Sequence, residues 1–286
     1  MKQLACILPC VLAFAGAITA AEISTIKAYV DTNLCSHLLL GPITTDRTEC
    51  SKKTFEEGSD PVLVRLSNNM VFEINKPKMV KEFVGQLAEA TGELNVKDGR
   101  IKLEGVKPLD AAAIPQGDPA RKLLDVRTYR TTGGPSMYEK IRHELAMMAY
   151  ISEFDFISFT LNGNDVILTG WTIRQTNRSE AQNRVKNIEG VENVVNNIEI
   201  LPLGRNDMTI RAGARAALQR FLPRYFWGSG SDIKIIVKDG DIILLGAVAT
   251  KEDSDIAYLQ CNHVPNAFKV FNMLRVAPPS AKEKKG

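Results

Sequence analysis

The chain has 286 residues, of which 36 are basic and 33 acidic, a formal net charge of +3 at neutral pH. That balance argues against a nucleic-acid binder, which carries a clustered basic surface. The length suits two or three modest domains.

The N-terminus reads as a secretory signal. Met1-Lys2-Gln3 is followed by an apolar run from Leu4 to Ile18, with Pro9 inside it. The small residues Thr19-Ala20-Ala21 then precede the first acid, Glu22. This order of positive start, short apolar run and small exit residues is that of a cleaved export signal, residues 1–21, cut after Ala20 or Ala21. A run of about 15 apolar residues is short for a bilayer span, which needs roughly 20. Cys6 lies too near the start to accept lipid. The expectation is a soluble periplasmic protein with no transmembrane segment after cleavage.

Three cysteines survive cleavage, Cys35, Cys50 and Cys261. Cys35 and Cys50 flank one loop in a chain bound for an oxidising compartment, so a disulfide is expected. A metal site built from Cys35, His37 and Cys50 is the alternative; it lacks a second paired motif, and no metal is expected. Cys261 falls in a predicted helix and reads as a small apolar residue.

Residues 22–110 predict a small β module. Val62–Leu66 and Met70–Ile74 are short strands around the turn signal Asn68-Asn69. A strand from Phe83-Val84-Gly85 to Gly92 and another from Ile101 to Val106 follow, with Asp98-Gly99 between them. Close-spaced short strands suggest a barrel. The placement of Gly85, Gly92 and Asp98-Gly99 resembles small secreted OB-like barrels. Residues 111–135, carrying Pro115, Gly117, Pro119 and Gly133-Gly134, read as a linker.

The C-terminal half contains a repeat. Asp165-Val166-Ile167-Leu168-Thr169-Gly170 matches Asp241-Ile242-Ile243-Leu244-Leu245-Gly246 at an offset of 76 residues. The same offset sets Ala181 on Ala257, Ile188 on Val264, Val194 on Val270 and Asn196 on Asn272. The first copy, residues 136–203, opens with Ser136-Met137-Tyr138-Glu139, the form of a capping box. Tyr138, Ile141, Leu145 and Met148 then recur at helical spacing. Ile157, Phe159 and Leu161 alternate as a strand; Asn162-Gly163 is a hairpin turn; Val166 to Ile173 returns as a second strand. A helix from about Arg178 to Ile188, Gly190 at its left-handed exit and a strand from Val194 to Ile200 complete the unit. The predicted class is α+β, an N-terminal barrel followed by two helix–strand–strand–helix–strand units, the second over residues 205–277 with its hairpin at Lys238-Asp239-Gly240. Residues 278–286 read as a frayed polar tail.

The run Asn162-Gly163, Val166-Ile167-Leu168-Thr169-Gly170, Ala181 and Ile188-Glu189-Gly190-Val191-Glu192-Asn193-Val194 resembles the BON domain, named for bacterial osmotically induced and nodulation proteins. The second copy departs from that pattern, with Val264-Pro265-Asn266-Ala267 where a Val-x-Gly-Val run is usual. The resemblance implies a sheet carrying helices on one face, and association with phospholipid surfaces or with assemblies of the bacterial envelope.

No catalytic constellation stands out, and no cofactor motif. His37, His143 and His263 fall in three different modules, and no nucleophile elbow or phosphate-cradling loop occurs. The expectation is a protein that is not an enzyme. Charge is more informative. Residues 136–200 hold six basic and nine acidic residues, net −3, whereas residues 205–286 hold thirteen and eight, net +5. In the first helix of the second copy Arg211, Arg215, Arg220 and Arg224 flank an apolar stripe of Ile210, Ala214, Ala217, Leu218 and Phe221. Tyr225, Phe226 and Trp227 follow. Basic edges around aromatic bulk suit the interface of an anionic membrane. The competing reading buries the stripe on the copy's own sheet and leaves the arginines as a solvated rim. The candidate partner-binding set is therefore Arg211, Arg215, Arg220, Arg224, Tyr225, Phe226 and Trp227, facing an anionic phospholipid surface or an envelope protein assembly. A ligand site in the barrel is the alternative function, and an enzyme with a site between modules the third.

Overall fold

The computed structural model describes residues 23–39, 43–115, 117–119, 135–227 and 231–276. Residues 1–22, where the export signal is expected, most of the 111–135 connection, the Gly228-Ser229-Gly230 run, residues 277–286 and the side chains of Pro135 and Ser136 lie outside the described residues.

β1 (Ile23–Thr32), β2 (Pro61–Arg65), β3 (Val71–Ile74), β4 (Leu87–Asn95) and β5 (Arg100–Pro108) form a closed barrel in the order β1-β2-β3-β5-β4. Closure depends on β1, whose residues 23–29 pair with β4 while residues 28–32 pair with β2. Ile26, Ala28, Val30, Leu63 and Phe72 fill the interior. Asn69 turns the β2–β3 hairpin at positive φ, where the Asn68-Asn69 signal lies. The strand expected from Phe83 begins only at Leu87, because Pro77–Phe83 is a 3-10 helix. Pro77, with its fixed φ and no N–H, favours that start. Val80 and Val84 are buried in the barrel core.

Between β1 and β2 stand two helices that hydrophobic periodicity does not announce, α1 (Asn33–Leu38) and α2 (Thr45–Glu56). The buried face of α2 is polar, formed by Arg47, Ser51 and Thr54. Arg47 Nε and Nη2 donate to Asp31 Oδ2 at 2.9 and 2.7 Å, and Ser51 Oγ donates to Oδ1 at 2.7 Å. Both charges are sealed from water, a pair that is costly to break from one side. A disulfide joins Cys35 to Cys50. Cys35 lies in α1 and Cys50 in α2, so the two sit in separate helices rather than at the ends of one loop.

The repeats are α3 (Pro135–Ala146), β6 (Phe156–Asn162), β7 (Asp165–Thr172), α4 (Gln175–Lys186), β8 (Asn193–Asn196) and β9 (Glu199–Ile200), then α5 (Arg205–Phe221), β10 (Ile233–Lys238), β11 (Asp241–Val248), α6 (Lys251–Asn262), β12 (Val270–Asn272) and β13 (Arg275–Val276). The bounds of β7, α4 and β9 precede those of β11, α6 and β13 by 76 residues. The sheets run β6-β7-β8 and β10-β11-β12, with β9 beside β7 and β13 beside β11.

The single closing strand expected over Val194–Ile200 is broken in two, for the same reason in both copies. Asn196 accepts the N–H of Ile198 at 3.1 Å and donates to the carbonyl of Arg178 at 3.0 Å. Asn272 does the same with Leu274 at 3.3 Å and Ser254 at 3.1 Å. Gly170 and Gly246 also correspond: both have φ near +115°, and a Cβ on either would overlap a carbonyl oxygen of the neighbouring strand, that of Phe156 or Asp232. After the second helix Gly190 adopts φ +93, and at the matched position Asn266 adopts φ +65. Asparagine is among the few non-glycine residues that tolerate this region. The departure of Val264-Pro265-Asn266-Ala267 from the usual pattern thus preserves the turn.

Val166 and Leu168 of β7 pack beneath α3 and α4, as Ile242 and Leu244 of β11 pack beneath α5 and α6. The intervening residues face the other way and are buried as well. Trp171, Ile236, Ile243, Leu245 and Phe271 form one core with Leu34 of α1, and Ile167 joins Tyr29, Val64 and Ile114. The helix-free faces of the two sheets and the helical insertion of the barrel thereby share apolar packing. Ile114, from the start of the 111–135 connection, is fully buried in it.

Candidate functional site

The seven residues singled out in the second repeat separate into distinct roles. Arg211 is only 4% exposed; its Nη1 donates to the carbonyl of Pro202 at 2.9 Å and its Nη2 to that of Val237 at 2.6 Å. Arg215 reaches across to Glu153 of the first repeat at 2.8 Å. Arg224 pairs with Asp253. Tyr225 is buried, donating from its hydroxyl to Asp253 Oδ2 at 2.6 Å and accepting the N–H of Ala249 at 2.8 Å. Burial, first, and the neighbouring Asp253 carboxylate push its pKa up. Phe226 is half-buried against the core of the second repeat.

Outward-facing residues remain. Trp227 is 76% exposed and Phe221 49%, and Arg220 lies 5.6 Å from the centre of the Phe221 ring. Of the apolar stripe, Ile210, Ala214 and Leu218 bury against β10 and β11 as the competing reading requires, whereas Phe221 does not. The patch is small, but its footing is firm. Leu222 and Tyr225 anchor the turn between Phe221 and Trp227 in the core.

A second constellation joins all three modules. His37 of α1 is buried; its Nδ1 accepts the N–H of Gly170 at 3.1 Å, which places the ring proton on Nε2, 3.5 Å from Glu199 Oε2. The imidazole lies 4.4 Å from the Trp171 ring. Glu199 Oε2 also accepts from Asn33 at 3.1 Å, and Oε1 pairs with Lys238 at 2.5 Å. Lys238 continues to Glu73 at 3.2 Å, and Glu73 to Arg100 at 3.1 Å. Alongside, the amide of Asn197 donates to the carbonyl of Asn69 at 2.8 Å. Cavities of about 300 and 440 Å³ flank the network.

Burial alone would raise the pKa of Glu199, but the hydrogen bond from His37 and the charge of Lys238 outweigh it and hold it at about 2. Burial would likewise lower Lys238, yet Glu199 and Glu73 leave it raised. A carboxylate so far below neutrality is poorly matched to proton transfer, which favours a pKa near the working pH. The network's evident role is cohesion. Among the described residues no group of three or more His, Cys, Asp or Glu side chains is arranged to hold a metal ion. No sequence spacing pointed to His37, Glu199 and Lys238, which come from three modules.

The family model for the BON domain matches residues 138–202 and 211–278. No curated protein matches the chain. Two solved structures of CdsD, a structural protein of the type III secretion system of Chlamydia trachomatis, align at 11% identity. One, a C-terminal domain, is covered over 98% of its length by 50% of this chain with a TM-score of 0.21; the other over 96% by 52% with a TM-score of 0.20. Scores at that level carry no argument about this chain. The protein carries two tandem BON domains, residues 138–202 and 211–278, behind an N-terminal closed β-barrel.

Proposed function

We propose that the protein is a non-catalytic component of the bacterial envelope that binds an anionic phospholipid surface through Arg220, Phe221 and Trp227 of its second BON domain. The observation that carries this reading is Trp227, an indole 76% exposed two residues beyond the buried Tyr225. Tryptophan at a fixed, solvent-facing position suits the headgroup region, where its ring is half solvated and half apolar. Residues 205–286, net +5, supply the long-range attraction. No helix among the described residues is long and apolar enough to cross a membrane, so the contact is peripheral.

The test is co-sedimentation of the mature protein with phosphatidylcholine vesicles, with and without phosphatidylglycerol. Binding should require the anionic lipid and weaken with salt, since the charges act over a Debye length of about 10 Å at 0.1 M. Arg220→Gln should weaken it about fivefold, the effect of roughly 1 kcal/mol per basic residue at an anionic leaflet. Trp227→Ala should weaken it without unfolding the domain. If the parent protein ignores anionic vesicles, or both variants bind as it does, the reading fails and a protein partner takes its place.

A further inference from the structure

One charged group in the barrel is not accounted for by the fold. Arg65 ends β2, and its guanidinium lies 5.1 Å from the centre of the ring of Phe72, a residue of the barrel core. Its Nε is sealed from water with no hydrogen-bond partner. Among the described residues none forms an ion pair with it, and burial is the one influence on its pKa, pushing it down. Arg211 Nε is likewise buried without a partner, but the other enclosed arginines have acceptors on their Nη atoms. Arg47 has the Asp31 carboxylate and Arg211 two backbone carbonyls.

Beside Arg65 a cavity of about 330 Å³ is also lined by Ser24, Thr25, Lys27, Ser67 and Asp118. Lys27 and Asp118 pair with each other, and Arg65 is the other cation among the described lining residues. A long basic side chain ordinarily places its head in water while its stem covers apolar surface. Here an end of the fork is enclosed and without an acceptor. A planar guanidinium backed by an aromatic ring is suited to receive an oxyanion on its donor edge.

We propose that this pocket binds a compact oxyanion, a carboxylate or a phosphate, on the guanidinium of Arg65. Lys27 and the hydroxyls of Ser24, Thr25 and Ser67 are the secondary donors. The site is separate from the patch of the second BON domain, so its test stands whatever the vesicle result.

The experiment titrates the mature chain, in chloride-poor buffer at slightly acidic pH, with acetate in one arm and inorganic phosphate in the other. Calorimetry gives affinity, and the side-chain Nε–H resonance of Arg65 gives location. At least one arm should saturate in the millimolar range or below, with that resonance moving in step. The tighter arm identifies the oxyanion. Arg65→Gln should weaken binding at least about tenfold and Lys27→Gln about threefold, with unchanged circular dichroism. A static Arg65 resonance in the parent protein, no saturation in either arm, or unaltered affinity in folded Arg65→Gln would overturn the proposal.

Discussion

Replacing Glu199 by Gln tests whether the junction network contributes to stability in the way its geometry implies. The substitution keeps the shape of the side chain and removes the charge that faces His37 and Lys238. A carboxylate held from 4.5 down to about 2 contributes on the order of 3 kcal/mol at neutral pH. Lys238 retains Glu73 at 3.2 Å, so the enclosed lysine is not wholly stranded and a loss of about 2–3 kcal/mol is expected. The pH dependence follows from the direction. The Glu199 pKa is lower folded than unfolded, so its contribution is complete above 4.5 and is lost as pH falls from there through about 2. Parent and Glu199→Gln should therefore differ most at neutral pH and converge in strong acid. Urea unfolding followed by fluorescence reads this directly, because Trp171 is fully buried 4.4 Å from the His37 ring. Trp227→Phe removes the only other indole. Equal stability at neutral pH, or a gap that persists unchanged in strong acid, would refute the reasoning.

Other expectations are more local. Burial pushes the Cys261 thiol up to about 12, so native protein lacking residues 1–21 should be inert to thiol reagents, and the same protein denatured and unreduced should titrate one thiol per chain. Removing Cys35 and Cys50 together should cost about 3 kcal/mol in chemical denaturation, the closure entropy of a 15-residue loop. Gly170→Ala and Gly246→Ala should each disrupt their own BON domain, since a Cβ at either position meets a strand carbonyl; a native amide spectrum for either would contradict the shared strain. Arg211→Met should lower the thermal midpoint by several degrees, because the carbonyls of Pro202 and Val237 lose their donors, at about 1–3 kcal/mol for each group left unsatisfied.

The repeat was legible because it is a local pattern held at a constant offset, and Asn196 and Asn272 keep even the same hydrogen bonds. The doubled burial of β7 and β11 also had a signal. Val166-Ile167-Leu168 and Ile242-Ile243-Leu244 are apolar at consecutive positions, as strands covered on both faces are. The helix α2 carried none, because its inward positions Arg47, Ser51 and Thr54 are polar and periodicity in hydrophobic residues passes over them. β1 was obscured differently, with Ile26, Ala28 and Val30 alternating just behind the apolar N-terminal run. In the candidate patch, composition gathered Arg and aromatic residues that packing then divided. Neither Tyr225 on Asp253 nor Arg211 on two carbonyls follows from spacing along one helix. His37 reaching Gly170 and Glu199 is a contact between modules, set by how the sheets stack rather than by any motif.

The most direct test of the proposed function reads Trp227 itself. Trp171 is fully buried, so the long-wavelength, quencher-accessible emission of the protein belongs to Trp227. Adding vesicles that contain phosphatidylglycerol should shift that emission to shorter wavelength and shield it from an aqueous quencher, with phosphatidylcholine alone doing neither. Emission and quenching that stay unchanged at saturating anionic lipid would contradict the account.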